Sequence, residues 1–284
     1  MSLRKFVLVM NPWHLYRRRH GVWRRVVDIP FDVVNWIRYS LFKLGLFRAH
    51  EFKQMDSLKN KYEGKKAFLI GNGPSVNVED LDKIYDSDFV TFGANRIHLA
   101  YPSMRFRPTF VVSADTQMIN DFGQDFLDSN RDNVILVSKS RPKLRGQFFW
   151  FFLSRRISLK FSTNVYKDVT LSGGSLFAAM QVGYHMGIRE FYLYGVDHSF
   201  KFVENDSSHG TGDASGDGNH FIQGYRSGKT WFAPRYELVE TGFFKADQLL
   251  REQGGGIFNS TIGGRLEVLE RIPLSDVLGG PRDG

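Results

Sequence analysis

The segment that most constrains the fold is Lys65-Lys66, then the apolar run Ala67-Phe68-Leu69-Ile70, then Gly71-Asn72-Gly73-Pro74-Ser75. Four apolar residues with no polar alternation read as a strand covered on both faces, the habit of parallel sheets. A parallel strand needs a crossover before its next neighbour, and Val78–Ile84 has the character of a short helix that supplies one. The same grammar recurs along the chain. Phe89–Phe92 runs into Gly93-Ala94-Asn95, Phe110–Ser113 runs into Ala114-Asp115, and Val134–Val137 is a fourth strand. Ser172-Gly173-Gly174-Ser175 opens a helix that runs through Met186, with Leu176, Ala179, Met180 and Gly183 on one face. Phe191–Tyr194 is the next strand, ending at Gly195-Val196-Asp197-His198; a helix over Tyr236–Glu252 and a short strand at Ile257-Phe258 follow.

Alternating strands and helices predict an α/β, Rossmann-like, open and mostly parallel sheet with helices on both faces. This domain is expected over residues 64–275, behind a basic, aromatic arm over residues 1–50. Two stretches fit less easily. Gln147–Ile157 is aromatic and basic without a period, and a mobile lid is one reading of it. The polar stretch Ser199–Lys229 is too long for a passive connection and reads as an active-site loop.

The formal charge of +8 is confined to the arm. Residues 1–50 hold ten Lys and Arg against Asp28 and Asp32, which leaves 28 bases and 28 acids in the remainder. A neutral body argues against nucleic acid as a partner. Phe6–Met10 is too short for the apolar core of a signal peptide, with no small-residue cleavage site after it, and the apolar stretch from Ile29 to Phe47 is broken by Asp32, Arg38 and Lys43, so the arm reads neither as a signal peptide nor as a membrane span. Val33, Val34, Trp36, Ile37, Leu41 and Leu44 recur at helical spacing. Such a helix suits either packing on the domain or an anionic membrane surface, where each basic residue contributes about 1 kcal/mol. With no cysteine, thiolate chemistry and disulfides are excluded, which fits a cytoplasmic protein, peripheral at the inner face of the membrane if the arm binds lipid.

In open parallel sheets ligands bind beyond the carboxyl ends of the strands, and the small and polar residues gather there. Gly71, Gly73 and Ser75 would let a backbone approach an anion at a helix start, although this is neither a Walker loop nor a full dinucleotide fingerprint. Asn72, Asn95 and Asp115 each sit just past a strand, where an amide can read a base or ribose and a carboxylate can equally cap a helix. Ser172 and Gly173 form a small-residue helix entry, and Gly195, Asp197 and Ser199 border the end of a later strand. His220 in the long loop is the natural general base for a hydroxyl acceptor, while His185, His198 and His209 read as solvated. There is no close-spaced His/Cys set for zinc; Asp197, Asp213 and Asp217 are the residues that could gather a divalent ion.

Taken in order, several short motifs resemble the bacterial sialyltransferases of glycosyltransferase family 42 and the related domain-of-unknown-function-115 group. They are Ile70-Gly71-Asn72-Gly73-Pro74-Ser75, Asn95, Ser172-Gly173, Ile188 through Asp197, Gly218-Asn219-His220-Phe221-Ile222 and Phe258-Asn259-Ser260. The resemblance implies a CMP-linked nonulosonic donor (sialic-acid-like or Kdo) and a glycan or glycolipid acceptor. Asn72 and Asn95 would contact the nucleotide, Ser172 and Gly173 would line the donor site, and His220 would deprotonate the acceptor, with inversion and no required cofactor. The sialyltransferases carry tyrosines after the later strand, where this chain has His198-Ser199-Phe200-Lys201. Ser199, His198 or Lys201 would then have to hold the leaving phosphate.

The Gly-Asn-Gly-Pro-Ser loop is also similar to that of the archaeal 6-hydroxymethylpterin diphosphokinases. That resemblance implies ATP and magnesium, with Asp115 and Asp197 as metal ligands. A non-catalytic scaffold that binds a nucleotide sugar is the third reading.

Overall fold

The structure is a computed structural model that describes residues 22–47, 49–130, 133–154, 160–172, 174–199, 218–225 and 236–279. Gly173, Lys201, His209, Asp213 and Asp217, with residues 1–21 and 48 of the arm and most of the long polar loop, lie outside the described residues.

Helices α1 (Val22–Lys43) and α2 (His50–Leu58) precede β1 (Lys66–Ile70), α3 (Val78–Tyr85) and β2 (Val90–Ala94). A 3-10 helix over Ile97–Ser103 leads to β3 (Phe110–Ser113), α4 (Thr116–Asn130), β4 (Val134–Ser138) and β5 (Phe149–Phe152). Then come α5 (Ser175–His185), β6 (Glu190–Tyr194), α6 (Tyr236–Arg251), β7 (Gly256–Asn259), β8 (Glu270–Arg271) and α7 (Leu274–Gly279). The strands form one eight-stranded sheet in the order β5-β4-β3-β2-β1-β6-β7-β8. Every pairing is parallel. This is the expected Rossmann-like α/β architecture.

Why the strands lack alternation is visible in the packing. Ala67 and Leu69 of β1 face a core shared with α2, α5 and α6, whereas Phe68 and Ile70 face another built on α3, the 3-10 helix and α4. Both sides of the strand are covered, so every outward position must be apolar. Full burial of a side chain such as Phe68 or Ile70 contributes roughly 1.5–3 kcal/mol each. The stretch Gln147–Ile157, left unassigned from sequence, contains the edge strand β5, whose Phe149, Trp150, Phe151 and Phe152 pair with β4. Its aromatic residues are core residues on both faces, not part of a lid over the described range.

Helix starts follow their caps. Asn77 Oδ1 accepts from the Glu79 amide at 2.9 Å, and the first turn of α3 carries Glu79 and Asp80 against Lys83 in the last. Helix α5 begins at Ser175, three residues later than the sequence suggests, because Gly174 at φ 83° provides the turn into it. The segment before it is pinned from inside by Gln181: its Oε1 accepts from the amides of Ser162 and Thr170, and its Nε2 donates to the Thr170 and Phe177 carbonyls. A buried amide with both ends satisfied fixes a loop firmly.

The chain leaves β1 toward β2, continues outward to β5, and returns through α5 to place β6 on the other side of β1. The loops after β1 and β6 therefore diverge from adjacent strands, which defines the switch point where such sheets bind ligands. Here they pack unusually close. Gly71 N donates to Tyr194 O at 2.8 Å and Gly73 N to Gly195 O at 2.9 Å. A Cβ on Gly71 would lie 2.3 Å from Gly195 O, and one on Gly73 would lie 1.8 Å from Asp197 Oδ2. Gly195 also sits at φ 70°, with a hypothetical Cβ 2.3 Å from Val76 Cγ2. Gly195→Ala is therefore expected to cost about 2–4 kcal/mol of stability, from left-handed strain plus overpacking, as read by urea denaturation.

Two histidines give the fold a pH dependence of known sign. His98 Nε2 contacts Asp125 Oδ2 at 2.9 Å and His185 Nε2 contacts Met55 O at 2.8 Å. Burial lowers the pKa of both, against the opposing pull of Asp125 and of the Met55 carbonyl. The unfolded chain takes up these protons near pH ~6.5 while the folded chain resists them, so stability falls as pH drops below that value. Thermal unfolding at pH 7 and pH 5 should show a smaller loss for a His98→Gln/His185→Gln variant than for the parent chain.

Candidate functional site

Asn72 is at the centre of the switch-point crevice and is buried. Its Nδ2 donates to Ala94 O at 2.7 Å, at the end of β2, and to the Tyr225 hydroxyl at 2.9 Å. The Ala94 carbonyl can only accept, so it fixes which end of the amide is nitrogen. That leaves Asn72 Oδ1 buried with no hydrogen-bond partner. A buried acceptor without a donor is costly, and it marks a place where a ligand or water donor fits.

Asn95 stands beside it on the next strand end, in left-handed backbone at φ 49°, which asparagine tolerates better than most residues. Its Oδ1 accepts from Ser113 Oγ at 2.8 Å and Ser175 Oγ at 2.9 Å, and Ser175 Oγ accepts in turn from the Ala114 amide at 2.9 Å. The ends of β2 and β3 and the start of α5 are thus joined through one asparagine.

Tyr225 completes the arrangement. Burial raises the pKa of its hydroxyl, and the neighbouring asparagine side chains, Asn95 and Asn72, pull in the opposite direction. Arg96 holds its backbone, donating from Nη1 to Tyr225 O at 2.7 Å and to Gly224 O at 3.3 Å. His220 stacks on the Tyr225 ring, with centroids 3.8 Å apart and planes at 15°, and Phe221 N donates to Asn72 O at 3.1 Å. The loop that carries His220 is therefore bound directly to the loop that carries Asn72, and the imidazole lies one aromatic ring away from the amide.

On the β6 side the polar groups serve the scaffold. Ser75 Oγ donates to Asp197 Oδ2 at 2.8 Å, and Arg265 N donates to Asp197 O at 2.8 Å. Asp197 thereby clamps the first loop to the turn after β7. Gly264, at φ 75°, has its Cα side against the Asp197 backbone, so any Cβ there would come within 2.8 Å of Asp197 O. His198 is not solvated as the sequence suggests. Its backbone turns at φ 52° and sends the imidazole inward, where Nε2 meets Glu240 Oε1 of α6 at 3.2 Å and the ring packs edge-on to Tyr236. His185 is likewise held, on Met55 O. Ser199 is half-buried at the end of the described β6 loop.

Asp115 is exposed and caps α4, with Oδ1 accepting from Gln117 N at 2.8 Å and Met118 N at 3.3 Å. Ser172 is buried against α6, so close that a Cβ on Gly242 would fall 2.4 Å from its own Cβ. It packs between helices and does not head α5. Among the described residues no three His, Asp or Glu side chains gather into a metal-binding group.

The structure thus brings Asn72, Asn95, Ser175 and His220 around Tyr225, and ties Gly71, Gly73, Ser75, Gly195 and Asp197 into an adjoining clamp. Tyr225, Ser113, Ser175 and Arg96 were not singled out from sequence. A hint existed: Ile222 and Tyr225 are buried apolar side chains in an otherwise polar loop, the mark of an anchor.

Comparison with known proteins bears on the β1–β6 half of this site. The structure of MAf glycosyltransferase from Magnetospirillum magneticum AMB-1 matches over 78% of this chain and 37% of its own, with 14% identity and a TM-score of 0.46. The chain thus spans little more than a third of that protein, and the fold assignment rests on the sheet topology above. Curated proteins yield no match. A family model, 6-hydroxymethylpterin diphosphokinase MptE-like, matches residues 46–202. That match takes in more than half the chain, from α2 through both halves of the switch point, and the chain belongs to the 6-hydroxymethylpterin diphosphokinase MptE-like family.

Proposed function

We propose that the chain is a transferase that binds a nucleotide-activated substrate at the β1–β6 crevice, and specifically a glycosyltransferase acting on a CMP-activated acidic sugar. The observation that carries this reading is the unpartnered, buried Asn72 Oδ1 within one aromatic ring of an imidazole. A base or ribose donor would satisfy the oxygen, and the nearby His220 is suited to take the proton of an acceptor hydroxyl. The groups described around Tyr225 are mainly neutral amides and hydroxyls, and the nearby cation, Arg96, is engaged with backbone carbonyls and with Asp125. Such a lining suits a donor with one phosphate better than a triphosphate, whose several charges call for cations or metal.

In this mechanism the acceptor hydroxyl attacks the anomeric carbon as His220 removes its proton. The bond from that carbon to the CMP oxygen breaks with inversion, and the electron pair leaves with the phosphate. The acceptor is a glycan or glycolipid hydroxyl, and the neutral-to-cationic change of one histidine is sufficient proton chemistry without a required cofactor. Of the residues considered for the departing phosphate, the half-buried Ser199 is the hydroxyl we assign to it, since Ser75 is committed to Asp197 and His198 to Glu240.

The second reading follows the family's name: a magnesium- and ATP-dependent diphosphokinase acting on a pterin. It would use Asp115 and Asp197, of which Asp115 has an exposed carboxylate and Asp197 is already committed to Ser75. Calorimetric titration of CMP, CDP and ATP, each with and without magnesium, separates the two. Cytidine nucleotides should bind in preference to ATP; tight, magnesium-dependent ATP binding would replace the first reading by the second. Asn72→Ala should weaken CMP binding by roughly tenfold or more, the scale of one or two buried hydrogen bonds. His220→Ala should leave CMP affinity near that of the parent chain while abolishing sugar transfer, and retained turnover would remove His220 as the base.

A further inference from the structure

Helix α1 is mounted on the domain the wrong way round. Its polar side faces inward: Asn35 is buried and donates to Lys167 O, Tyr39 accepts from Asn164 Nδ2 at 2.7 Å, and Arg38 pairs with Glu51 beneath the helix. The Arg38 guanidinium also lies 5.3 Å from the Trp150 ring of β5. Phe42 supplies a large apolar contact on that side, stacked on Phe52 at 4.3 Å and on Tyr166 at 5.1 Å. The opposite side carries Val33, Trp36, Ile37 and Leu44, and the turn after it adds Leu46 and Phe47, all exposed. Trp36 is 62% exposed, Leu44 70% and Leu46 73%. An amphipathic helix in a soluble protein normally buries this stripe and hydrates the other.

We infer that this face is a docking surface for an anionic lipid bilayer, with α1 lying in the plane of the interface. Charge selects the occupant. Residues 1–50 carry ten bases and two acids, while the rest of the chain is balanced. Within α1 the sequence holds Arg24, Arg25 and Lys43, besides the inward-turned Arg38, against Asp28 and Asp32, and Lys43 and Lys53 border, with Asp56, one cleft at the end where Leu44 and Leu46 emerge. A second copy of the chain is the poorer fit, because a two-fold contact sets the same cationic patch against itself. No described helix is long and apolar enough to cross a membrane, so the contact is with the surface. Aromatic and aliphatic residues sinking among acyl chains, with bases at headgroup level, is the usual form of such binding. This surface lies beside β5, at the far end of the sheet order from β6, and does not depend on what the crevice binds.

Co-sedimentation of the full chain with vesicles tests it. The chain should partition onto phosphatidylcholine vesicles containing phosphatidylglycerol, bind pure phosphatidylcholine far less, and detach as salt is raised. Val33→Ser/Trp36→Ser/Ile37→Ser should reduce partitioning by about tenfold or more. Leu44→Ser/Leu46→Ser, beyond the helix, gives the same readout if circular dichroism shows the triple variant misfolded. Failure of the parent chain to bind, or equal binding by the variants, would overturn the inference. So would a dimer in sedimentation velocity that the same substitutions convert to monomer, since the face would then be a subunit interface.

Discussion

The contact on which this molecule depends is the approach of two backbones at the centre of the sheet, where Gly71 and Gly73 meet Gly195. Neither loop could come so near with a side chain in the way, and amides on one bond carbonyls on the other. Because β1 and β6 send their chains in opposite directions, this is also where the sheet opens. The glycines are needed there for one loop to reach the other, a requirement independent of any ligand. Their meaning as a phosphate cradle is a second claim, laid over the structural one.

Around that contact the polar residues divide into two populations. Asp197, Ser75 and Asp115 are spent on the scaffold, as a clamp and a cap. Asn72, Asn95, Ser113, Ser175 and Tyr225 form two linked groups at adjoining strand ends, in which the side-chain oxygen of Asn72 is the buried side-chain atom with no partner. Rigid networks of this kind hold a recognising group within a narrow range of positions, which is the condition for selective binding. The imidazole of His220, stacked on the hub tyrosine, inherits that rigidity. His198 is locked in a separate buried pairing with Glu240, out of the set around Tyr225.

Much of the sheet could be read from the sequence because a doubly covered parallel strand has little choice: Ala67–Ile70, Val134–Val137 and Phe191–Tyr194 carry unbroken apolar runs, and small polar residues follow. The edge strand Phe149–Phe152 escaped because its aromatic residues also suit a surface loop, and no glycine follows it closely to punctuate the end. The entry to α5 was placed early since Ser172 has the chemistry of a cap; only packing against Gly242 shows that it points elsewhere. In the site, the asparagines were legible as rim residues by their position after strands. Tyr225 was not, because nothing local reveals that its partners lie about 150 and 130 positions upstream, a purely tertiary fact.

The strand order has a consequence for how such a chain comes into being. One neighbour of β1 arrives within some 25 residues, but the other, β6, is encoded more than 120 residues later. Until the ribosome has delivered that stretch, the hydrogen-bonding edge of Ala67–Ile70 is open, hydrophobic on both faces and free to pair with whatever strand it meets. The crevice thus cannot form before the most distant strand pairing is made and the later loop with His220 and Tyr225 follows it, and a polypeptide interrupted anywhere between β2 and β6 would be a template for aggregation with no pocket at all.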